Sequence, residues 1–593
     1  MSLTTRTDAT TRTDTTTRTD ATTEASGTRR LWLLVLAGAI AMFLVQPPAD
    51  LWLLAWVAPL PWLWVVQSDG LPGRYPWRAI WAGGLLYWLL AIHWLRLPHP
   101  ATSIGWVALS AYLAAYLPLF VWTARQLVHR WRWPLVPAAT VAWMACEQLR
   151  GWVLGGFTFA MLGHTQWRWT TLIQIADALG AVGVGGIVMA VAAAIATLIR
   201  FGVRGALGDV AVAASVLTLA LGYGTWRLAG EPATTNRTLD VLLVQGSIDT
   251  ELKHDPDAAA DVARHYDDLT IGALALPEHA GRPDLVVWPE TMWRWGLLEV
   301  HPDEPLDDAV VEQVLGIEPA GADEPARAKR RARCRELLGQ QRLDALAVYA
   351  KRYGTCWLVG LDRQVVTPHV PAGVENFNAA VFLDPHGAAL ACYDKMHPVM
   401  FGEYVPLADR FPVLYRLTPL PGGLTPGKTP VVVDVAGFAV APTICYETAL
   451  PGAFRALVRT LAATGQRPDV IVNLTNDGWF WGSSELDMHL VAAVFRAVEV
   501  RTPIVVAANT GFSASIDGSG RLLARGPRRS TATLRVTVRP DGRTSPWLVV
   551  GTLPIAVCVT IMAAAAAESL LLGRRRPSGR STEGAGGSSL EPS

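Results

Sequence analysis

Charge and cysteine are both scarce in this chain. Only 17% of its 593 residues are charged, and 51 Lys and Arg nearly cancel 50 Asp and Glu. That balance gives no basic surface of the kind nucleic-acid binding needs. The six cysteines, Cys146, Cys334, Cys356, Cys392, Cys445 and Cys558, include no CxxC pair. No disulfide framework follows from them, and no Cys/His cluster has metal-ligand spacing, so neither metal nor cofactor is expected. What the chain has instead is apolar mass. Hydrophobic residues make up 51%, with 25 Trp among them, a composition that leans towards the membrane.

That mass is unevenly placed. Residues 1–30 repeat Thr, Arg, Asp and Ala without apolar periodicity and are expected to form a disordered tail. Apolar runs follow at 31–47, 51–67, 79–95, 104–124, 134–150, 178–199 and 206–226, giving a seven-helix transmembrane region over 31–228. An eighth run, 547–572, lies near the far end, ahead of a second disordered tail at 573–593. Arginines mark one side of these spans: Arg29 and Arg30, Arg74 and Arg78, Arg125, Arg130 and Arg132, Arg200 and Arg204, and Arg574, Arg575 and Arg576. The opposite loops carry only the scattered Arg96, Arg150 and Arg168. The positive-inside rule makes the first set cytoplasmic, so residues 237–543, after an odd number of spans, are expected outside.

Residues 237–543 have ordinary globular composition. Short apolar runs, Leu239 to Val244, Asp284 to Trp288, Phe438 to Ile444, Val470 to Leu474 and Ile504 to Ala507, read as buried strands. Helical patterns fit 255–275, 324–352 and 487–500, and residues 299–333 read as a loop insertion leading into a helix. The alternation predicts an α/β domain. Three segments near strand ends offer chemistry: Val287-Trp288-Pro289-Glu290, Tyr393-Asp394-Lys395 and Pro442-Thr443-Ile444-Cys445-Tyr446-Glu447. Alone, Glu290 reads as a solvated carboxylate, Lys395 as a surface lysine and Cys445 as a strand-end cysteine. Together they supply the base, cation and thiol of nucleophilic catalysis.

That ordered set resembles the Glu-Lys-Cys triad of the nitrilase superfamily. The flanks resemble apolipoprotein N-acyltransferases more closely. They include Tyr393-Asp394-Lys395-Met396-His397, Phe401-Gly402-Glu403-Tyr404-Val405-Pro406, Asn476-Asp477-Gly478-Trp479-Phe480, His489-Leu490, Arg496-Ala497, Glu499, Asn509-Thr510-Gly511, Ile516-Asp517 and Val244-Gln245-Gly246. The resemblance implies an α-helical membrane bundle of about eight transmembrane helices. To this is added an extracytoplasmic nitrilase-like α-β-β-α sandwich. It implies catalytic roles for Glu290, Lys395 and Cys445, with Glu403, Tyr446 and Glu447 supporting them. The implied reaction is ping-pong acyl transfer from a phospholipid, through a cysteine thioester, to the N-terminal amine of a diacylglyceryl-cysteine on a lipoprotein. The implied setting is a monomer in the bacterial cytoplasmic membrane. The chain departs from the family pattern at His254, at Pro398-Val399-Met400, at Phe157-Thr158-Phe159 and at Val506-Ala507-Ala508, positions expected near the substrate mouth.

Two other functions compete. A membrane-anchored amidase of nitrilase type would use the same triad on a small soluble C–N substrate, which needs no lipid-embedded entrance. A scaffold for a polyprenyl-phosphate mannose synthase would suit the Ala/Arg/Gly-rich composition, as in some actinobacterial relatives. The chain has no glycosyltransferase domain, and an intact triad argues against a purely structural part.

Overall fold

The computed structural model describes residues 11–230, 237–249, 256–276, 281–315, 324–370, 372–408, 410–411, 413–414 and 423–575. His254, the first ten residues and the tail beyond 575 lie outside the described residues. Helices occupy each expected apolar run: Thr11–Leu44, Leu60–Gln67 behind the short turn Trp52–Trp56, Pro76–Ala91, Thr102–Ala114 continuing into Tyr116–Arg125, Leu135–Trp152, Ala176–Ala229 and Leu553–Arg575. The first begins at Thr11, so residues 11–30, expected to be disordered, extend the apolar helix backwards. Once a helix is nucleated, each added residue gains a bond at little cost. Among the described residues, four helical segments are long and apolar enough to cross a membrane: Ala25–Leu44, Thr102–Arg130, Ala176–Ala229 and Leu553–Leu572.

Ala176–Ala229 is a hairpin. Its 54 residues would reach about 80 Å if straight, yet Arg227 Nε lies 2.7 Å from Asp177 Oδ2, so its two ends meet. The reversal falls at Gly202, whose φ of +67° a side chain would strain. At the closed end of this hairpin, Arg200 donates to the Gln67 carbonyl. Arg125 Nη1 donates to the carbonyls of Val65, Val66 and Ser68 at 3.0, 3.1 and 2.6 Å, and Arg130 pairs with Glu568 at 3.0 Å. These arginine-rich connections therefore cap carbonyls and a carboxylate at one end of the helices. The hairpin's open end faces the other half of the chain.

That half contains two six-stranded sheets. The first is ordered β12-β1-β2-β3-β4-β5, from β1 (Leu239–Gln245), β2 (Leu285–Val300), β3 (Cys356–Val366), β4 (Val374–Leu383), β5 (Ala389–Asp394) and β12 (Ala532–Val538). The second is ordered β11-β10-β9-β8-β7-β6, from β6 (Val433–Val435), β7 (Phe438–Ile444), β8 (Val470–Thr475), β9 (Ile504–Ala508), β10 (Ala514–Ile516) and β11 (Leu522–Arg525). Leu243, Val287 and Leu358 of one sheet share a core with Val440, Val472 and Val505 of the other. Helices Ala259–Leu274 and Glu324–Tyr353 cover the outer face of the first sheet. Helices Pro451–Ala463 and Glu485–Val500 cover the second, where Val184 and Ile187 of the membrane half join the same core. The layers are α-β-β-α. Strands buried on both faces explain why the central ones read as unbroken apolar runs. In the region read as a loop insertion, Asp308–Leu315 is helical. Residues 316–323 lie outside the described residues.

The two halves are joined by buried charge. Arg501 reaches Asp177 Oδ2 through Nη2 at 2.5 Å and Nε at 2.8 Å. Tyr223 donates to Oδ1 at 2.5 Å. Glu499 accepts from the Ala181 backbone N–H at 3.0 Å and from Arg496 at 2.8 Å. Removing one member of a buried pair costs about 3–5 kcal/mol, because the other charge is stranded. Asp177→Asn should therefore lower the unfolding temperature of the detergent-solubilised protein markedly. An unchanged melting curve would show that this pair does not hold the halves together.

Candidate active site

Glu290 sits where β2 loses its regular ladder. Pro289 has no N–H to give, and the register between β2 and β3 shifts from Trp288 to Trp293. Thr291 adopts φ +56° inside this bulge. Gly360 on β3 permits the close approach: a Cβ there would lie 2.4 Å from the Pro289 oxygen. The bulge turns Glu290 inwards, where it is 5% exposed. Its Oε1 accepts from Asn378 Nδ2 at 2.6 Å, and its Oε2 accepts from the Asn476 N–H at 2.8 Å. The solvated carboxylate is thus excluded.

Lys395 follows β5 and is 1% exposed, so it is not a surface lysine. Its ammonium lies 2.7 Å from Glu403 Oε1 and 3.7 Å from Glu290 Oε1. Burial opposes its charge, but Glu403, Cys445 and Glu290 outweigh burial and hold its pKa above the ordinary lysine value. Glu403 is itself fixed, accepting from the Val399 N–H at 2.7 Å.

Cys445 follows β7 and opens the short turn Cys445–Ala449, with φ +50°. Non-glycine residues adopt that conformation rarely, and its cost is met by the contacts around it. Burial, then the Glu290 charge, push the thiol well above its usual pKa, while Lys395 pulls it down. The resting group is therefore a neutral thiol between a carboxylate and an ammonium.

Glu447 is buried at 3% exposure and binds this turn to the other sheet. Its Oε2 accepts from the Ile444 N–H at 2.7 Å; its Oε1 accepts from the Met396 and His397 N–H groups at 2.8 and 3.1 Å. The Tyr393 hydroxyl lies 2.8 Å from both oxygens. Tyr446 points the other way and donates to the Gly156 carbonyl at 3.1 Å. Thr158 donates to the Ala449 carbonyl. Trp94 packs against Phe159 and Phe480 with ring centroids 5.5 and 5.0 Å away. The Cys445 turn is thus pressed against the membrane half, and Phe157-Thr158-Phe159 lies at that contact. Val506-Ala507-Ala508 is the buried end of β9, at most 6% exposed. Its alternate side chains face the two sheet cores, so small apolar residues fit there for packing.

The structure also brings in residues that sequence reasoning left out. Asn378 reaches Glu290 from β4, and Glu485 joins Asp477 and His489 behind Cys445. Asn378 gave no spacing signal, because the β4–β5 hairpin rather than the sequence interval sets its distance to Lys395.

Comparison with known proteins agrees with this architecture. Residues 270–545 match the carbon-nitrogen hydrolase family, and residues 38–194 match the apolipoprotein N-acyltransferase N-terminal domain. The α-β-β-α domain is therefore of the carbon-nitrogen hydrolase class. Among relatives, the apolipoprotein N-acyltransferase of Geobacter metallireducens is 30% identical, covering 86% of this chain and 90% of its own. That of Allorhizobium ampelinum is 31% identical, over 86% of this chain and 91% of its own. That of Rhodopirellula baltica is 29% identical, over 87% and 93%. The chain belongs to the apolipoprotein N-acyltransferase family.

The raised thiol pKa has a direct consequence. Thiolate should be scarce at neutral pH, so iodoacetamide labelling of Cys445 should keep accelerating with pH past the usual cysteine pKa of about 8.5. Lys395→Ala should slow it further, since the ammonium is the group that favours thiolate. A plateau below pH 8.5 would contradict this electrostatic picture.

Proposed function

We propose that this chain moves an acyl group from a phospholipid to the N-terminal amine of a diacylglyceryl-cysteine on a lipoprotein, with Glu290, Lys395 and Cys445 as the catalytic residues. The observation that carries this reading is the contact of the Cys445 turn with the membrane half, through Gly156, Thr158 and Phe159. A thiol placed there meets an acyl chain arriving from the bilayer.

Glu290 takes the Cys445 proton as sulfur attacks the phospholipid ester carbonyl. The S–C bond forms, the ester C–O bond breaks, and the protonated Glu290 returns its proton to the departing lysophospholipid oxygen. The transient oxyanion is held by the Lys395 ammonium and the Tyr446 backbone N–H. The lipoprotein amine then attacks the thioester. Glu290 accepts the amine proton, the C–S bond breaks, and the proton passes to the leaving sulfur. Glu403 keeps Lys395 aimed, and Glu447 keeps the two strand ends together. The amidase reading uses the same centre, but nothing in it needs aromatic side chains of the membrane half against the nucleophile's turn.

The membrane frame is read as eight spans, with the hairpin Ala176–Ala229 supplying two of them. The catalytic domain is read as extracytoplasmic, supported by the arginines gathered at the far end of the helices. Mass spectrometry of a lipoprotein N-terminus tests the activity. Cells with the gene should show an N-acylated diacylglyceryl-cysteine, and cells without it, or with Cys445→Ser or Glu290→Gln alone, a free amine. In vitro, Lys395→Ala should cut transfer about 10²–10³-fold, as loss of an oxyanion donor does. Lipoproteins that stay N-acylated in the Cys445→Ser strain would refute the assignment. For sidedness, a reporter fused near residue 400 should be active only outside the cytoplasm, and cytoplasmic activity would overturn the topology.

A further inference from the structure

The turn bearing Cys445 rests on a group that the mechanism above leaves unused. His489, on helix Glu485–Val500, is 5% exposed. Its Nδ1 lies 3.0 Å from Asp477 Oδ1, an oxygen that already accepts from the Thr475 hydroxyl at 2.8 Å. Its Nε2 lies 3.0 Å from the Cys445 carbonyl oxygen and 3.0 Å from Thr448 Oγ1. The Thr448 hydroxyl proton is spent on that same carbonyl, at 2.7 Å. A carboxylate and a carbonyl can only accept, so both ring nitrogens must donate. A histidine that donates from both nitrogens is an imidazolium. With no lone pair left on the ring, the Asp477, Glu485 and His489 cluster is closed to metal ions, although its ligand atoms lie within 4.8 Å of one another.

We propose that His489 is a positioning residue that, as a buried imidazolium on the Cys445 carbonyl, polarises the Cys445–Tyr446 peptide and strengthens the Tyr446 N–H as an oxyanion donor. In a planar trans peptide the carbonyl and the N–H point to opposite sides. Donors gathered on the carbonyl therefore make the N–H on the far edge more positive, as chains of hydrogen bonds polarise one another. Asn473 Nδ2 adds a third donor to the same oxygen at 3.3 Å. The same grip holds Cys445 in its left-handed conformation. The titratable groups facing His489 are Asp477 after β8, Glu485 on its own helix and Cys445 on the turn. Burial opposes the imidazolium, but Asp477 and then Glu485 hold its pKa up at about 9. Burial and the Asp477 charge push Glu485 above the usual carboxylate range, while the His489 charge pulls it back down.

This inference rests on Cys445 being the nucleophile, and the test separates the two. Full-length protein in detergent is given phospholipid and a synthetic diacylglyceryl-cysteinyl peptide, and kcat, KM and the pH profile are measured for wild type, His489→Gln and Asp477→Asn. His489→Gln keeps a donor in place without the charge. It should lower kcat roughly 10–100-fold, a fraction of what outright loss of an oxyanion donor costs, with KM within about twofold. Wild type should lose activity as pH rises through about 9, and His489→Gln should lack that alkaline limb. Asp477→Asn still accepts from Nδ1 but removes the charge that raises the ring pKa, so it should move the limb to lower pH. A purely structural role would lower the unfolding temperature of both variants and leave the limb in place; that result overturns the proposal, as does an unchanged kcat in His489→Gln. If the wild-type acyl group is not on Cys445, the site reading falls and takes this inference with it. If it is on Cys445 and the variants behave as wild type, this inference alone fails.

Discussion

The site depends on one buried carboxylate. Glu447 takes hydrogen bonds from Ile444 at the end of β7 and from Tyr393, Met396 and His397 around the end of β5. Those strands belong to different sheets, so Glu447 fixes the distance between the thiol and the ammonium. A carboxylate meeting several N–H and O–H donors is held far more firmly than either sheet edge would hold a loop. Without it, the Cys445 turn and the Lys395 loop would each relax towards their own sheet.

Given that frame, the electrostatics follow. Glu290, Glu403 and Lys395 form a cluster with one buried cation between two carboxylates. Burial, and then the excess negative charge, raise the Cys445 pKa, and in the proposed mechanism the cation stands where the oxyanion forms. Water exclusion strengthens both effects. The membrane half supplies more than an anchor. Its loop at 156–158 touches the Cys445 turn directly, and the Asp177 and Glu499 pairs lock its helices under the second sheet. The helices of the membrane half and the thiol therefore stand in one fixed relation.

Much of this was legible in the residues alone. The central strands β1, β2, β7, β8 and β9 declared themselves because burial on both faces makes them continuously apolar. Strands β3 to β5 did not, because polar residues such as Asn376 and Asn378 interrupt their pattern, and Asn378 is there for Glu290. The Glu-Lys-Cys order was visible through its flanks, but its burial was not. Lys395 reads as exposed until two carboxylates from other segments are folded around it. The strand carrying Glu290 runs to Val300 rather than stopping at Trp288, since Gly360 lets the chain bulge and resume. The burial of Val506-Ala507-Ala508 was not legible by resemblance, because a substitution pattern carries no information on exposure.

The central claim is that Cys445 carries the acyl group between donor and acceptor. Purified protein incubated with phospholipid and no acceptor, then digested and analysed by mass spectrometry, tests it most directly. The account expects a single fatty acyl group on the peptide containing Cys445, released by hydroxylamine and absent from Cys445→Ala. An acyl group on Cys334, Cys356 or Cys392 instead, or turnover with no adduct on any cysteine, would contradict it.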